Sequence, residues 1–237
     1  MKISSPNIVN INQASDIVNN LRKKVIFWDT CALLDIVRFP RDNEFSSLVD
    51  LIRIHNAILN DQVYSMASEI TIVEYNEHIL STLNESIEVI KKVNKQYNCI
   101  ITLINHFTSS LSSTSSIDLP SYNLERYLVA IVHDILSKTI FIEKNDIAPV
   151  WLDRIVAKKT PLKRKGEYKD AAIWCTCLSL AEKTYFDTES ENMLFFSSNV
   201  NDYYEAGSKN FNRDILTECS TYNMFFGINF TEINSKI

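Results

Sequence analysis

Four carboxylates stand where side chains can do chemistry in this 237-residue chain. Asp29 directly follows the apolar run Lys24–Trp28 (K-V-I-F-W), and Asp202 lies just beyond a second run, Met193–Ser197 (M-L-F-F-S), within S-S-N-V-N-D. Glu74 follows I-T-I-V, and Asp170 precedes A-A-I-W. Burying an unpaired charge is costly, so acids in such apolar settings need partners. Taken singly, Asp29 also reads as a turn or helix cap, Glu74 as a surface residue, and Asp170 as a first-turn acid favoured by the helix dipole. Taken together they suggest an acidic cluster. Gathered carboxylates repel one another, and their pKa values rise unless a cation neutralises them. An all-oxygen donor set selects Mg²⁺ or Mn²⁺ over zinc. Such ions lower the pKa of a bound water and stabilise negative charge developing on oxygen.

Composition removes several other chemistries. Only three glycines occur (Gly166, Gly207, Gly227), so a dinucleotide fingerprint, a Walker loop and a G-x-S-x-G elbow cannot be built. No pair of the four histidines has H-E-x-x-H spacing, and the five cysteines contain no C-x-x-C. Those cysteines read as reduced, mostly buried thiols of a reducing compartment. The net charge of −5 argues against a generic polyanion binder and leaves room for a local basic patch. Met1 to Asn20 is polar, without the apolar segment of a signal peptide, and no run of about 18 apolar residues spans a bilayer. A cytoplasmic location without membrane contact is therefore expected.

The elements that must position the acids alternate between strands and helices. Lys24–Trp28, Asp61–Ser65 and Met193–Ser197 predict buried parallel strands, with Phe225–Phe230 a weak final one. Cys31–Val37, Phe45–Leu59, a helix from Ser68 through Glu74, Ser121–Leu136, Asp146–Val156, Tyr168–Lys183 and Phe211–Tyr222 predict helices. Leu80, Leu83, Ile87, Ile90, Tyr97, Ile101, Ile104 and Leu111 recur at steps near 3.5. One long amphipathic helix, or two joined near Asn94–Asn98, fits, packed on the chain's own core or paired in a dimer. Thr108–Ser116 reads as a Ser/Thr-rich loop. The alternation predicts an α/β fold. It forms a single domain over 1–237, with a helical elaboration at 80–157 and a basic loop at 158–167.

The segments F-W-D-T-C-A-L-L-D (Phe27–Asp35), S-E-I-T-I-V-E-Y (Ser68–Tyr75), Y-K-D-A-A-I-W (Tyr168–Trp174) and F-F-S-S-N-V-N-D-Y (Phe195–Tyr203) together resemble the PIN-domain nuclease family. The resemblance spans Lys24 to about Tyr203, with a longer interval between Glu74 and Asp170 than is usual there. It implies a three-layer α/β/α domain with a short central parallel sheet and extra helices. It also implies a Mg²⁺- or Mn²⁺-dependent nuclease, most often an endoribonuclease and in many relatives toxin-like or defence-related. Carried onto this chain, it gives Asp29, Glu74, Asp170 and Asp202 as catalytic and metal-binding acids. Thr30 would supply a supporting or phosphate-facing hydroxyl, and Ser198 and Asn199 would orient Asp202 or the scissile phosphate. The implied partner is RNA. A structure-selective DNA nuclease and a catalytically silent RNA- or protein-binding module are the alternatives, and a protein inhibitor and a homodimer are further partners to consider.

Lys158, Lys159, Lys163, Arg164 and Lys165 lie just upstream of Asp170. They read as a solvated linker or as a patch that tracks phosphates towards an acidic mouth, and their position favours the patch. Trp28 and Trp174 read as core. Tyr203 and Tyr204 could stack on a base or cap the core. Glu69 and Glu167 are the substitutes should one acid be misplaced.

Overall fold

Val25, Ile26, Phe27 and Trp28 are all fully buried, as a strand between two helical layers requires. The computed structural model describes residues 6–42, 45–107, 115–161, 168–184, 192–205 and 207–237. Six strands form one parallel sheet: β1 (Asn7–Val9), β2 (Val25–Trp28), β3 (Tyr64–Ser68), β4 (Ile140–Ile142), β5 (Met193–Phe196) and β6 (Met224–Gly227). Their spatial order is β1-β4-β3-β2-β5-β6, and every pairing is parallel. The helices among the described residues are α1 (Ile11–Leu21), α2 (Thr30–Asp42), α3 (Phe45–Leu59), α4 (Glu69–Phe107), α5 (Leu124–Lys138), α6 (Ala148–Val156), α7 (Tyr168–Lys183), α8 (Val200–Tyr203), α9 (Arg213–Thr221) and α10 (Phe230–Asn234).

The period-2 alternation of the strands divides the core into two. Ile26, Trp28, Leu194 and Phe196 face a cluster built with α2, α3, α4, α5 and α10. Val25, Phe27, Met193 and Phe195 face another built with α1, α7 and α9. The result is a three-layer α/β/α sandwich. Helix α7 is buried without interruption from Ala171 to Leu178. Its sequence is apolar all round, as an enclosed helix must be.

Strand β3 runs over Tyr64–Ser68 and not Asp61–Ser65. Its inward positions include Ser65 and Ser68, both buried. Ser65 Oγ is satisfied by Trp28 Nε1 at 2.9 Å and Thr139 Oγ1 at 2.7 Å. Ser68 therefore ends the strand, and α4 begins at Glu69. The polar N-terminus supplies edge strand β1 and helix α1, which starts in a capping box between Asn10 and Gln13. The segment 80–157 is not only helical, because its Ile140–Ile142 is a sheet strand between β3 and β1. Phe230 belongs to α10, capped by Asn229 Oδ1, which accepts from Glu232 N at 2.9 Å, so β6 stops at Gly227.

Helix α4 is a single helix of 39 residues. Asn94 and Asn98 do not break it. Asn94 Oδ1 accepts from Leu119 N at 2.9 Å, and Asn98 exchanges two bonds with the Ile117 backbone at 3.0 and 3.2 Å. Of the apolar row read from the sequence, Leu83, Ile90 and Ile101 are buried while Leu80, Tyr97 and Ile104 are exposed. Leu111 and most of the Ser/Thr-rich loop lie outside the described residues. Among the described residues no helix is long and apolar enough to cross a membrane.

Candidate active site

From β2 the chain proceeds to β3 and β4 on one side of the sheet, while β5 leads to β6 on the other. Open parallel sheets form a ligand crevice at such a divergence, outside the carboxyl ends of the strands. Asp29 sits there. Its N–H donates to Phe196 O at 2.9 Å, extending the β2–β5 pairing by one residue.

The Asp29 side chain lies in a residue that is 2% exposed. Oδ1 accepts from Thr30 N at 2.6 Å. Oδ2 accepts from Ser197 Oγ at 2.5 Å and from Cys31 Sγ at 2.9 Å. Burial pushes the Asp29 pKa above its ordinary value, and the Glu74 charge adds to this against the lowering effect of the hydrogen bonds. Among the described residues Asp29 has no basic partner. The Cys31 thiol is itself pushed well up, first by burial and then by Asp29. It stays protonated and donates.

Thr30 opens α2 and its hydroxyl donates to Glu74 Oε2 at 2.7 Å, so one residue links both acids. Glu74 projects from α4, beside Lys169 Nζ at 3.4 Å from Oε1. Lys169 also meets Glu77 Oε2 at 3.2 Å. Burial pulls the Lys169 pKa down, but Glu77 and Glu74 outweigh it and hold the ammonium above its ordinary value. Asp170 follows in the first turn of α7. Asp202 lies on α8 and accepts from Asn199 Nδ2 at 2.6 Å.

Tyr203 ties the picture together. It is fully buried, its ring packed on Trp174, Phe195 and Phe226. Its hydroxyl has no hydrogen-bond partner among the described residues. Burial drives its pKa well up, and Asp29, Asp170, Cys31 and Asp202 all push it further. Three of the four acids thus lie within electrostatic reach of one buried hydroxyl, and the fourth is hydrogen-bonded to Thr30. Tyr203 caps the core and cannot stack on a base.

The other sequence candidates fall as follows. Asn199 holds Asp202. Ser198 lines a cavity beyond the end of β5, and it is the neighbouring Ser197 that donates to Asp29. Ser197, Cys31 and Lys169 were not singled out from the sequence; each adjoins a residue that was, which is the only signal they give. Trp28 and Trp174 are core. Glu69 is engaged by Lys144, and Glu167 lies outside the described residues. Lys158 and Lys159 are exposed after α6, and Lys163, Arg164 and Lys165 lie outside the described residues.

The donors suit a hard divalent ion, being carboxylate and hydroxyl oxygens around a buried carboxylate with no basic partner among the described residues. Among the described residues no three of His, Cys, Asp or Glu are gathered closely enough to hold an ion alone. Mg²⁺ commonly takes one or two carboxylates and fills its remaining positions with water and phosphate oxygens.

Acids thus stand at strand ends and on adjoining helices along the carboxyl edge of a parallel α/β/α sandwich, where open parallel sheets form their ligand crevices. A family model described as PIN domain matches residues 26–203, most of the chain, and the protein belongs to the PIN-domain family. PIN domains are generally nucleases that act on nucleic acids and typically use divalent metal ions. Neither a curated protein nor a solved structure gives a significant match to the chain.

Proposed function

We propose that this protein is a Mg²⁺- or Mn²⁺-dependent endoribonuclease that hydrolyses phosphodiester bonds of RNA. The observation that carries the reading is Asp29: a buried carboxylate at the switch point, hydrogen-bonded on both oxygens, with a raised pKa and no basic partner among the described residues. Asp29 and Asp170 would hold the ion, with Glu74 and Asp202 binding directly or through water. The bound ion would supply Lewis acidity and a water nucleophile at neutral pH. This chain's own residues fix the geometry around it. Ser197 and the Thr30 N–H aim the two Asp29 oxygens, the Thr30 hydroxyl aims Glu74, and Asn199 aims Asp202. Lys169 sets the Glu74 rotamer through its ion pair. The basic loop from Lys158 to Lys165 would carry the RNA backbone towards the acids.

Incubation with single-stranded RNA, single-stranded DNA and a flap duplex, with and without Mn²⁺, tests the reading. Metal-dependent cleavage of the RNA alone is the expected result. Cleavage of the flap would move the protein to the structure-selective DNA nucleases. Binding without any cleavage would make it a silent module. The exposed row Val93, Tyr97, Ile100, Ile104 and Phe107 on α4, at alternating steps of four and three, supports a homodimer as the quaternary state. Light scattering reads that directly.

A further inference from the structure

A cavity of about 310 Å³ opens beside the acids, between α2, α3, the end of β5 and the β6–α10 turn. That size lies within the range of small-molecule sites. Phe39, Phe196 and Phe230 give it apolar walls, and Asp35, Ser47 and Ser198 give it polar ones. It lies on the same sheet edge as Asp29 and connects to it residue by residue. Phe196 and Ser198 in its wall flank Ser197, whose Oγ donates to Asp29 Oδ2 at 2.5 Å. A strand whose phosphate lay at Asp29 would therefore have a neighbouring base at the cavity mouth.

We propose that this cavity is a nucleobase subsite of the substrate strand and that it selects guanine. The proposal rests on the nuclease reading above. Aromatic walls stack on any base and account for occupancy rather than choice. The choice lies with Asp35. Its Oδ1 accepts from Arg38 Nη1 at 3.1 Å, while Oδ2 has no hydrogen bond among the described residues. An ionised carboxylate only accepts, and each oxygen offers two lone pairs. Guanine is the one RNA base whose pairing edge carries two adjacent N–H donors, N1–H and the N2 amino group. Uracil presents its single N–H between two carbonyls, which a carboxylate repels. Adenine and cytosine each offer one amino group beside a bare ring nitrogen. In the proposed subsite the Ser198 hydroxyl of the same wall would meet the guanine O6.

The test has a binding arm and a cleavage arm. In the first, GMP, AMP, CMP and UMP are titrated against the full chain in EDTA, so that neither metal nor turnover enters. GMP should bind about tenfold or more tightly than UMP, the discrimination expected of one well-placed polar readout. Asp35→Asn should bring the GMP to UMP ratio close to one, with Asp35→Ala as a second variant and circular dichroism confirming that both fold. In the second arm, the ends of products cut from a random single-stranded RNA pool are sequenced. Guanine should be enriched at one fixed position beside the cut, and the enrichment should vanish in Asp35→Asn. Equal binding of GMP and UMP by the unmodified protein overturns the proposal. So does a GMP preference without guanine enrichment at the cuts, which would make the cavity a site for a free nucleotide. A GMP preference in a protein that cuts no RNA would overturn the ribonuclease reading, and the strand assignment with it, while leaving guanine recognition standing.

Discussion

The proposed chemistry turns on Asp29, whose environment makes opposite demands on the charge. Burial opposes ionisation while three donors favour it. A carboxylate whose folded pKa is raised stabilises the fold fully below its unfolded value near 3.8. That contribution is lost as the pH rises through the elevated folded value. Asp29→Asn should therefore melt higher than the unmodified protein at pH 8 in EDTA, and the gap should close as the pH falls towards 4. The same variant should lose metal-dependent cleavage. A variant that melts lower at pH 8, or that cleaves normally in Mg²⁺, contradicts the assignment. Ser197→Ala tests the support. Removing a hydrogen bond that aims a ligand costs about 10- to 100-fold in metal affinity or activity, so Mn²⁺ affinity should fall by that amount with the fold intact. The four acids stand out in the sequence because each follows an apolar run or adjoins an apolar helix. Ser197 and Cys31 do not, because a serine or cysteine beside an acid has many ordinary uses and only the fold shows which oxygen it reaches.

The elements explain why some of the fold reads directly and some does not. Strands β2 and β5 are four-residue runs buried on both faces, and helix α7 is buried without a break from Ala171 to Leu178. Their burial is written in their composition. Strands β1 and β4 are three residues each. The first two residues of β1 are exposed, and β4 follows α5 almost at once, so neither leaves a window long enough for a period. Strand β3 hides behind its inward serines, whose hydrogen bonds are invisible in sequence. Helix α7 must also be held in place to present Asp170. Arg154 on α6 makes paired bonds of 2.7 and 2.8 Å to Glu218 on α9, and Glu218 also accepts from Trp174 Nε1 of α7 at 2.8 Å. Arg154 Nε reaches Thr160 O at the start of the basic loop. Removing one partner of a buried pair leaves the other charge uncompensated. Arg154→Met should therefore lose about 3 kcal/mol, read from the urea midpoint at unchanged slope. A loss well under about 1 kcal/mol would mean that water already screens the pair.

At the scale of the whole molecule, an acidic chain must attract a polyanion to a cluster of acids. In the proposed reading the basic loop would do this; Lys158 and Lys159 are exposed after α6, whose Arg154 pairs with Glu218. Contacts of this kind go to phosphates and are indifferent to sequence. Replacing Lys163, Arg164 and Lys165 by Gln should weaken binding about equally for different RNAs. The slope of log affinity against log salt should fall by roughly 2 to 3. An unchanged slope would return the loop to the role of a solvated linker. The central claim, that the acids at the β2–β5 switch point form a divalent metal centre, is tested most directly by diffraction. Crystals grown with Mn²⁺ should show an anomalous peak within about 2.1 Å of carboxylate oxygens from Asp29 and Asp170, and the peak should vanish in Asp29→Asn. Mn²⁺ bound elsewhere with this crevice empty, or a peak that persists unchanged in Asp29→Asn, would contradict it.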